Sequence, residues 1–323
     1  MVKPPFPWMG NKEKLAPYIQ QMFPPGLTQF TEVFGGSGAM VLALKPKRGR
    51  LDIYNDLNNN LFNVFCCIKE RPTALCKELK FLPIHGREAF LFYRDILAHE
   101  PDYHRHIQEE KELIRQEVCF SEQELAELRA NLDSRAGLFD VQRATAFLLA
   151  QHGSFSGTGN SVGVKTIDVG AIVSRIPEVS KRMETVFLEN QDAFVLIPKR
   201  DIPTGLIYAD PPYVDAEKCY DVWFPRDNHI RLRDRLVTCH GKVILSYNNC
   251  PFVWELYRDR FYIFSLVREN PLAQSKAATY RELILTNYDP RPYMEDQLDL
   301  FAPSDGQKWK PILLHAPNHT DQR

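Results

Sequence analysis

The sequence predicts an α/β protein in which one mostly parallel sheet is interrupted by a helical insertion. Three observations lead to this prediction. Strand and helix patterns alternate over residues 29–69, helical patterns dominate residues 72–182, and the alternation resumes after residue 184. Strands that alternate with helices are typical of a parallel sheet with helices on its faces. A long helical block within such a chain therefore indicates an inserted domain.

The first segment is predicted to fold as a helix followed by two strand-helix pairs. Asn11 is a good N-cap, and apolar residues recur behind it at helical spacing. The predicted elements are, in order, a helix after Asn11, a strand over residues 29–34, a helix over 39–44, a strand over 50–54 and a helix over 58–69. This order is that of consecutive parallel strands joined by helices.

The middle segment is predicted to be mostly helical, with a charge that changes along its length. Residues 100–135 hold ten acidic and five basic residues. The glycine-rich loop 153–161 comes next, and it is followed by Lys165, Arg175, Lys181 and Arg182. We expect the basic part to be exposed toward phosphate and the acidic part to face away from it. An ordinary solvated helix face is the alternative for the basic residues.

The last segment returns to alternating strands and helices. The candidate strands are 185–189, 206–209, 242–247, 261–267 and 282–286, and the candidate helices are 226–239 and 251–257. We therefore predict a discontinuous α/β domain over residues 1–69 and 184–290, a helical insertion over 70–183, and a mobile, proline-rich tail over 291–323.

Composition limits the possible functions. The formal net charge of −1 gives no overall electrostatic preference for nucleic acid, so any binding surface must come from local charge. The seven cysteines include no C-x-x-C pair, and we expect reduced core thiols in a cytoplasmic protein without a metal site. No apolar run approaches membrane-spanning length, and the first five residues lack an apolar signal core.

The tetrapeptide Asp210-Pro211-Pro212-Tyr213 follows a predicted buried strand and suggests chemistry on an amine. The exocyclic amine of a nucleobase is a poor nucleophile because its lone pair is delocalised into the ring. The Asp210 carboxylate and the Pro211 carbonyl can accept its two hydrogens, and Tyr213 can stack on a base taken out of the duplex. A plain turn at the end of a strand is the alternative, since proline and aspartate are common there.

A second group of residues indicates a nucleoside-type cofactor. The turn Phe34-Gly35-Gly36-Ser37-Gly38 lets a ligand approach the backbone, and Asp56, 18 residues after Gly38, can bind ribose hydroxyls. Asp192, which follows the strand at 185–189, can accept from an adenine amine. The chain has no phosphate-binding G-x-x-x-x-G-K-[ST] loop, which disfavours ATP hydrolysis. Acidic residues suit S-adenosylmethionine, which carries a positive sulfonium and no phosphate.

The order of these motifs resembles the Dam-type (D12 class) family of N6-adenine DNA methyltransferases. Trp8-Met9-Gly10-Asn11-Lys12 comes first, and the glycine turn, Asn55-Asp56, the helical insertion and Asp210–Tyr213 follow. The resemblance covers nearly all of residues 5–290. It implies the class I S-adenosylmethionine-dependent methyltransferase fold, which is Rossmann-like, with the insertion as target-recognition domain. It also implies double-stranded DNA as substrate and an adenine that is flipped into the site.

The resemblance further implies roles for individual residues. It assigns catalysis to Asp210, Pro211, Pro212 and Tyr213. It assigns cofactor binding to Trp8, Lys12, Phe34, Gly35, Gly36, Gly38, Asp56 and Asp192. It assigns DNA contacts to Ser154, Ser156, Thr158, Asn160, Lys165, Lys181 and Arg182, in and after a loop that starts with Gln151-His152-Gly153 instead of the family's asparagine-glycine. The segment 246–249 is expected at the edge of the target-base pocket.

Two other functions stay open from the sequence. One is methylation of N4 of cytosine or of another amine, such as an RNA base or a side-chain amide. Asp210, where Ser or Asn could stand, and the large insertion favour adenine in DNA. The other is a non-catalytic DNA-binding or replication-accessory protein, which the intact Asp210 and glycine turn disfavour.

The predicted tail carries one short motif. Gln297-Leu298-Asp299-Leu300-Phe301 lies between prolines and resembles the motif that binds the bacterial sliding clamp. Apolar anchors on a mobile segment suit docking into a preformed groove. The alternative is that these side chains pack back onto the α/β domain.

Overall fold

A computed structural model describes residues 1–81, 87–98, 112, 121–128, 140–154, 167–214, 224–268, 282–294 and 309–317. These residues form two compact units. The α/β unit contains Met1 and the described residues of Lys12–Leu57 and Thr185–Arg323, and the helical unit contains Val2–Asn11 and the described residues of Asn58–Glu184. Within these ranges, no helix is both long enough and apolar enough to cross a membrane.

An eight-stranded sheet forms the centre of the α/β unit. Its strands are β1 (Gln29–Glu32), β2 (Leu51–Asn55), β3 (Val186–Glu189), β4 (Gly205–Ala209), β5 (Lys242–Asn248), β6 (Tyr262–Arg268), β7 (Glu282–Thr286) and β8 (Trp309–His315). They lie in the order β3-β2-β1-β4-β5-β7-β6-β8. Strands β1 to β5 pair in parallel. Strand β7 is antiparallel to β5 and β6, and β8 is antiparallel to β6. The predicted mostly parallel α/β sheet is confirmed.

Short helices connect the strands, and longer ones build the helical unit. The helices are α1 (Ala16–Gln20), α2 (Ala39–Ala43), α3 (Asn59–Glu70), α4 (Pro72–Phe81), α5 (Arg87–Ala98), α6 (Val141–Gly153), α7 (Val169–Met183), α8 (Ala193–Arg200), α9 (Arg226–Val237), α10 (Pro251–Tyr257) and α11 (Arg291–Met294). Helices α3 to α7 belong to the helical unit.

The central strands are buried on both faces. Every residue of β4 and of β7 is buried, and Ile207, Leu245 and Leu285 are at most 1% exposed. A strand covered on both faces has no solvent-facing position, so its sequence reads as a continuous apolar run. Each such side chain contributes roughly 1.5–3 kcal/mol relative to leaving it exposed. These strands therefore form a rigid support for the polar residues that follow them.

The sheet has a topological switch point between β1 and β4. The chain passes from β1 through α2 to β2 on one side, and from β4 to β5 on the other. Because the connections diverge, a crevice opens beyond the carboxyl ends of β1 and β4, which is where open α/β sheets bind ligands.

The helical unit packs around α6. Asp140 caps this helix by accepting a hydrogen bond from the Arg143 backbone N–H at 2.9 Å. Helices α3, α4 and α5 all contact α6. The Phe6 ring packs between Phe65 of α3 and Phe147 of α6, with ring centroids 6.0 Å and 5.4 Å away. The helical prediction for this segment is therefore correct where the structure describes it.

Two elements differ from the sequence prediction. The helix predicted after Asn11 spans only Ala16–Gln20, with a proline in its first turn. Strand β8 forms at Trp309–His315, where we predicted a mobile tail. Among the described strands, β8 pairs only with β6 and lies at the edge of the sheet. Pro311 is tolerated there because an edge strand leaves part of its backbone without ladder hydrogen bonds. The motif at residues 297–301 lies outside the described residues.

Candidate active site

Polar and acidic side chains gather at the carboxyl edge of the sheet. Glu32 ends β1, Asp56 follows β2 and Asp210 follows β4. Glu282 begins the antiparallel strand β7 and therefore lies at the same edge. We call these four carboxyl groups the acidic edge. Carboxylates concentrated at a switch point can hold a cationic ligand or an amine.

The glycine turn between β1 and α2 is held tightly against β2. The Gly35 N–H donates to Asn55 O at 2.8 Å, and the Tyr54 hydroxyl donates to Gly36 O at 2.8 Å. A Cβ on Gly35 would lie 2.7 Å from Cδ2 of Tyr54 and closer still to Cε2. Gly36 and Gly38 have φ values of 50° and 71°, in the left-handed region that favours glycine. The turn therefore needs these glycines to bring its backbone to the edge.

Asp56 lies beside the turn, and its predicted role in binding a ribose stays a prediction. Its Oδ2 accepts a hydrogen bond from the Gly36 N–H at 2.8 Å. Asn55 links neighbouring loops, since its Nδ2 donates to Val33 O at 2.8 Å and to Gln191 O at 3.0 Å. These bonds fix the loops after β1, β2 and β3 relative to each other.

Glu32 was not identified as a site residue from the sequence. It is 2% exposed, and its two oxygens accept from the backbone N–H groups of Met40 at 3.2 Å and Val41 at 2.8 Å. Burial raises the pKa of the Glu32 carboxyl to about 8, against the opposing effect of these hydrogen bonds. Its signal in the sequence was an acid placed directly before the glycine turn, at the end of a strand.

Asp210 has two oxygens in different environments. Its Oδ2 lies 2.8 Å from Lys12 Nζ. Its Oδ1 is buried and has no hydrogen-bond partner among the residues that the structure describes. Burial raises the pKa of the Asp210 carboxyl, and the Lys12 ammonium opposes that rise. A buried acceptor without a partner costs free energy, so it is suited to receive a donor from a ligand.

Lys12 lies on the acidic edge, next to the predicted catalytic loop. Its ammonium is 2.8 Å from Asp210 and 3.3 Å from Glu282 Oε1, and it lies 5.0 Å from the centroid of the Tyr213 ring. The resemblance assigns Lys12 to cofactor binding, and the structure places it in contact with Asp210, Tyr213 and Glu282. The side chain is 6% exposed, so these charges interact in a weakly screened environment.

Tyr213 is anchored through its hydroxyl. This group donates a hydrogen bond to Glu282 Oε1, and the ring lies 6.0 Å from that of Tyr247. Burial raises the pKa of Tyr213 well above its ordinary value, so the hydroxyl stays a donor. Sequence reasoning missed Glu282, although a charged residue at the head of the apolar strand β7 was a signal.

The carboxyl end of β5 borders the same loop. The Asn248 side-chain amide donates to Val214 O at 3.3 Å, the Ser246 and Tyr208 hydroxyls share a hydrogen bond at 2.8 Å, and His229 Nδ1 lies 2.5 Å from the Tyr247 hydroxyl. Residues 246–248 therefore support the loop that carries Asp210, Pro211, Pro212 and Tyr213.

Two other predicted cofactor residues have packing roles in the structure. Asp192 caps α8 by accepting from the Phe194 N–H at 2.7 Å. The Phe34 ring meets Phe224 edge-on at 5.9 Å, and Phe224 stacks with Phe194 at 6.3 Å. The predicted roles of Asp192 and Phe34 in cofactor binding stay predictions.

Trp8 belongs to the helical unit. It packs edge-on against Phe6 at 6.2 Å and lies 6.2 Å from Phe147. Its predicted role in cofactor binding stays a prediction.

The predicted DNA-contacting residues are described only in part. Ser154 is half-buried and donates to Gln151 O at 3.0 Å, and Lys181 is exposed on α7. Ser156, Thr158, Asn160 and Lys165 lie outside the described residues. Arg182 is 4% exposed, so its assignment to an exposed phosphate-binding face is wrong. It lies three residues after the buried Val179 and shares the buried stripe of the helix.

The residues at this edge fit S-adenosylmethionine by their chemistry. The acidic edge offers carboxylates to a positive sulfonium and an ammonium group, and the glycine turn brings the backbone close to a ligand. Asp56 lies at the end of the strand next to the turn, where a ribose would be bound. No group of metal-ligating side chains occurs among the described residues.

Comparison with known proteins adds one finding. Residues 8–272 match the family model described as D12 class N6 adenine-specific DNA methyltransferase. The matched span contains the glycine turn, the acidic residue after β2, the helical unit and the loop Asp210–Tyr213. No curated protein sequence matches the chain.

Proposed function

The chain belongs to the D12 class N6 adenine-specific DNA methyltransferase family and is a DNA adenine-N6 methyltransferase, and on this premise we propose how its residues act. S-adenosylmethionine is the methyl donor. Asp210 and Pro211 hold the target amine, and Tyr213 stacks on the flipped base. The observation that carries this proposal concerns the two oxygens of Asp210. Oδ1 is buried and has no hydrogen-bond partner among the described residues, while Oδ2 is paired with Lys12.

Asp210 and Pro211 act on the amine by accepting its hydrogens. Two acceptors at one nitrogen draw the N–H groups out of the base plane and restore lone-pair density on N6. Because Lys12 occupies Oδ2, Oδ1 is the acceptor for one hydrogen, and the Pro211 carbonyl is the acceptor for the other. The gain in rate comes from orientation and from dipoles fixed before the reaction, not from a covalent intermediate.

The cofactor site is proposed at the glycine turn. When bound, S-adenosylmethionine supplies an electrophilic methyl group on a positively charged sulfur. Phe34, Gly35, Gly36 and Gly38 form the wall of the site, Asp56 accepts from the ribose hydroxyls, and Asp192 accepts from the adenine amine. The hydrogen bond from Gly36 to Asp56 supports this role, because it fixes the carboxylate at the turn. Trp8 and Lys12 complete the proposed set.

Tyr213 is proposed to stack on the flipped adenine. The Lys12 ammonium lies over one face of its ring, so the base would use the opposite face. The hydroxyl anchored to Glu282 fixes the plane of the ring before the base arrives. A fixed aromatic plane lowers the entropy cost of stacking.

DNA contacts are proposed for the helical unit. Arg175 and Lys181 are both exposed on α7, and they suit phosphate contacts on double-stranded DNA. The loop residues Ser154, Ser156, Thr158, Asn160 and Lys165 are proposed to reach base edges or phosphates. A DNA substrate makes the cytoplasm the proposed location.

Docking to a bacterial sliding clamp through Gln297–Phe301 is proposed from the motif alone. Such docking would raise the local concentration of the enzyme on newly replicated DNA.

The product of the reaction tests the proposed chemistry. The protein is incubated with DNA and with S-adenosylmethionine that carries a labelled methyl group, and the DNA is digested to nucleosides. We expect the label in N6-methyladenine. Label in N4-methylcytosine, which the same loop chemistry could produce, or in no nucleoside would contradict the proposal. Sequencing of modified positions then gives the target sequence.

A further inference from the structure

Glu282 lies beside the catalytic loop but outside every motif discussed above. Its side chain is 10% exposed, accepts the hydrogen bond of the Tyr213 hydroxyl and lies 3.3 Å from Lys12 Nζ. Its partner across the β5–β7 pair is Asn248, whose amide donates to Val214 O. This end of the strand pair therefore contacts the loop at Tyr213 and at Val214.

We propose that Glu282 is a positioning residue for methyl transfer. Glu282 fixes Lys12 and Tyr213, so that Lys12 pairs with Oδ2 of Asp210 and Oδ1 stays available to the target amine. The inference rests on the proposed function of Asp210. Glu282 touches neither the methyl group nor the base, and it acts through the two residues that it holds.

The geometry at Lys12 gives the physical reason. A lysine ammonium on its flexible stem can approach either oxygen of a carboxylate or bridge both. Here a second carboxylate, Glu282, lies 3.3 Å from Nζ, and Nζ is 2.8 Å from Oδ2 of Asp210. The second carboxylate therefore helps to hold the ammonium at Oδ2 of Asp210. Oδ1 accordingly has no hydrogen-bond partner in the described part of the chain.

The same arrangement determines the charge state of Asp210. The groups that interact with it include Lys12, Glu282, Tyr213, Glu32, Tyr208 and Tyr247. The Glu282 carboxylate raises the pKa of Asp210, and the Lys12 ammonium lowers it. Removing the Glu282 charge takes away its raising effect while the Lys12 ammonium still lowers the pKa, so the pKa of Asp210 should fall. A residue with only a packing role would not produce this change.

The test compares Glu282→Gln with the wild type. In single-turnover assays on a short duplex, we expect the methyl-transfer rate to fall on the order of 10²-fold because the reacting groups lose alignment. The acid limb of the pH–rate profile should move to lower pH. Calorimetric binding of S-adenosylmethionine should change by less than about threefold, a small difference in binding free energy. Glu282→Asp, which keeps the charge, should return the acid limb toward that of the wild type.

A matched control is Asp52→Asn. Asp52 is also a buried carboxylate, 3% exposed and 2.6 Å from Arg50 Nε, but it lies near the amino end of β2. Asp52→Asn should leave the rate of methyl transfer and the acid limb of the pH–rate profile unchanged.

A second variant is used if Glu282→Gln does not fold, as judged by circular dichroism. Tyr213→Phe removes the same hydrogen bond from its other end, and it should slow methyl transfer by about tenfold with cofactor affinity retained.

The inference would be overturned if Glu282→Gln transferred methyl groups at the wild-type rate with an unchanged acid limb of the pH–rate profile. Where Tyr213→Phe is used instead, a wild-type rate of methyl transfer would overturn it. The proposed function fails separately, if the wild type places no label on adenine N6. An active wild type with an unaffected Glu282→Gln therefore refutes the role of Glu282 alone. Fluorescence of 2-aminopurine at the target position supplies a readout that needs no cofactor, and it should differ between the wild type and Tyr213→Phe.

Discussion

At the scale of single residues, the site is defined by carboxyl groups whose surroundings differ. Asp210 is paired on one oxygen, Glu282 is shared between Lys12 and Tyr213, and Glu32 is buried against backbone N–H groups. Burial raises the pKa of Glu32 to about 8 and also raises that of Asp210. The site therefore holds several acids at one edge without all of them being ionised at neutral pH.

The pKa of Glu32 has a consequence for stability. A carboxyl whose pKa is raised by folding keeps its proton in the native state, while the unfolded chain loses it near about pH 4.3. The contribution of Glu32 to the free energy of unfolding is therefore complete below that pH. It is lost as the pH rises toward 8, and the free energy of unfolding falls by at most about 1.4 kcal/mol per pH unit.

Urea unfolding of the wild type and of Glu32→Gln measures this effect. The stability of the variant relative to the wild type should increase with pH across this range, because glutamine carries no proton to lose. A difference that stays constant with pH would show that Glu32 does not titrate there.

The sequence alone was enough to identify the site residues that belong to a short, continuous motif. Asp210 and Gly35 each follow an apolar strand directly, so their neighbours in the chain were enough to identify them. Glu282 and Lys12 are far apart in the sequence and meet only because β7 inserts between β5 and β6. No local pattern contains that information, although an acid at the head of an apolar strand was a hint.

At the scale of elements, the glycine turn is the part most sensitive to substitution. Gly35→Ala would drive a methyl group into the Tyr54 ring, which also holds Gly36 through its hydroxyl. We expect a loss of about 1–3 kcal/mol from overpacking and weaker cofactor binding. The control is Gly26→Ala, at which no atom lies within 4 Å of the added Cβ; unlike Gly35, Gly26 has a left-handed φ of 74°.

Thermal unfolding and calorimetric binding of S-adenosylmethionine measure the stability and the cofactor affinity of both glycine variants. Gly26→Ala should show only the strain of its backbone and normal cofactor affinity. Equal cofactor affinity in both variants would mean that the turn does not line the cofactor site.

Helix α7 is the element proposed to meet DNA. Arg175→Glu and Lys181→Glu together should weaken binding to all DNA sequences and reduce the slope of log Kd against log salt by about 1 per lost phosphate contact. Lys77→Glu, on an exposed position of α4, serves as the control. If Lys77→Glu weakens binding more, the DNA face lies elsewhere on the helical unit.

Helical spacing could have excluded Arg182 from that face. The buried residues of α7 include Ile172, Ile176, Val179 and Met183, and Arg182 lies three positions beyond Val179. The prediction counted charges along the segment and did not project them onto a helix. Arg182 is basic, as the sequence shows, but it lies on the buried side of α7 and not on the exposed side.

At the scale of the whole molecule, the carboxyl-terminal segment has two different parts. Strand β8 completes the sheet by pairing with β6, which the sequence did not predict because an edge strand with a proline carries a weak pattern. Removal of residues 291–323 would therefore expose the edge of β6. Catalysis and clamp docking must be separated by substitution within residues 297–301 instead.

Leu300→Ala with Phe301→Ala makes that separation. Methylation of short duplexes should be unchanged, and binding of the protein to a bacterial sliding clamp should be lost. A labelled peptide spanning residues 295–303 should bind the clamp at concentrations of tens of micromolar, which is roughly −6 to −7 kcal/mol. No binding by the peptide or by the full-length chain at such concentrations would refute clamp docking.

The central claim is that Asp210 accepts a hydrogen of the target amine and does not hold the cofactor. Asp210→Asn, which keeps the shape of the side chain, tests it through two measurements on one preparation: the single-turnover rate of methyl transfer and the affinity for S-adenosylmethionine. We predict that the barrier rises by about 3 kcal/mol or more while cofactor affinity is retained. A near-normal rate, or a loss of rate fully explained by lost cofactor binding, would contradict the account.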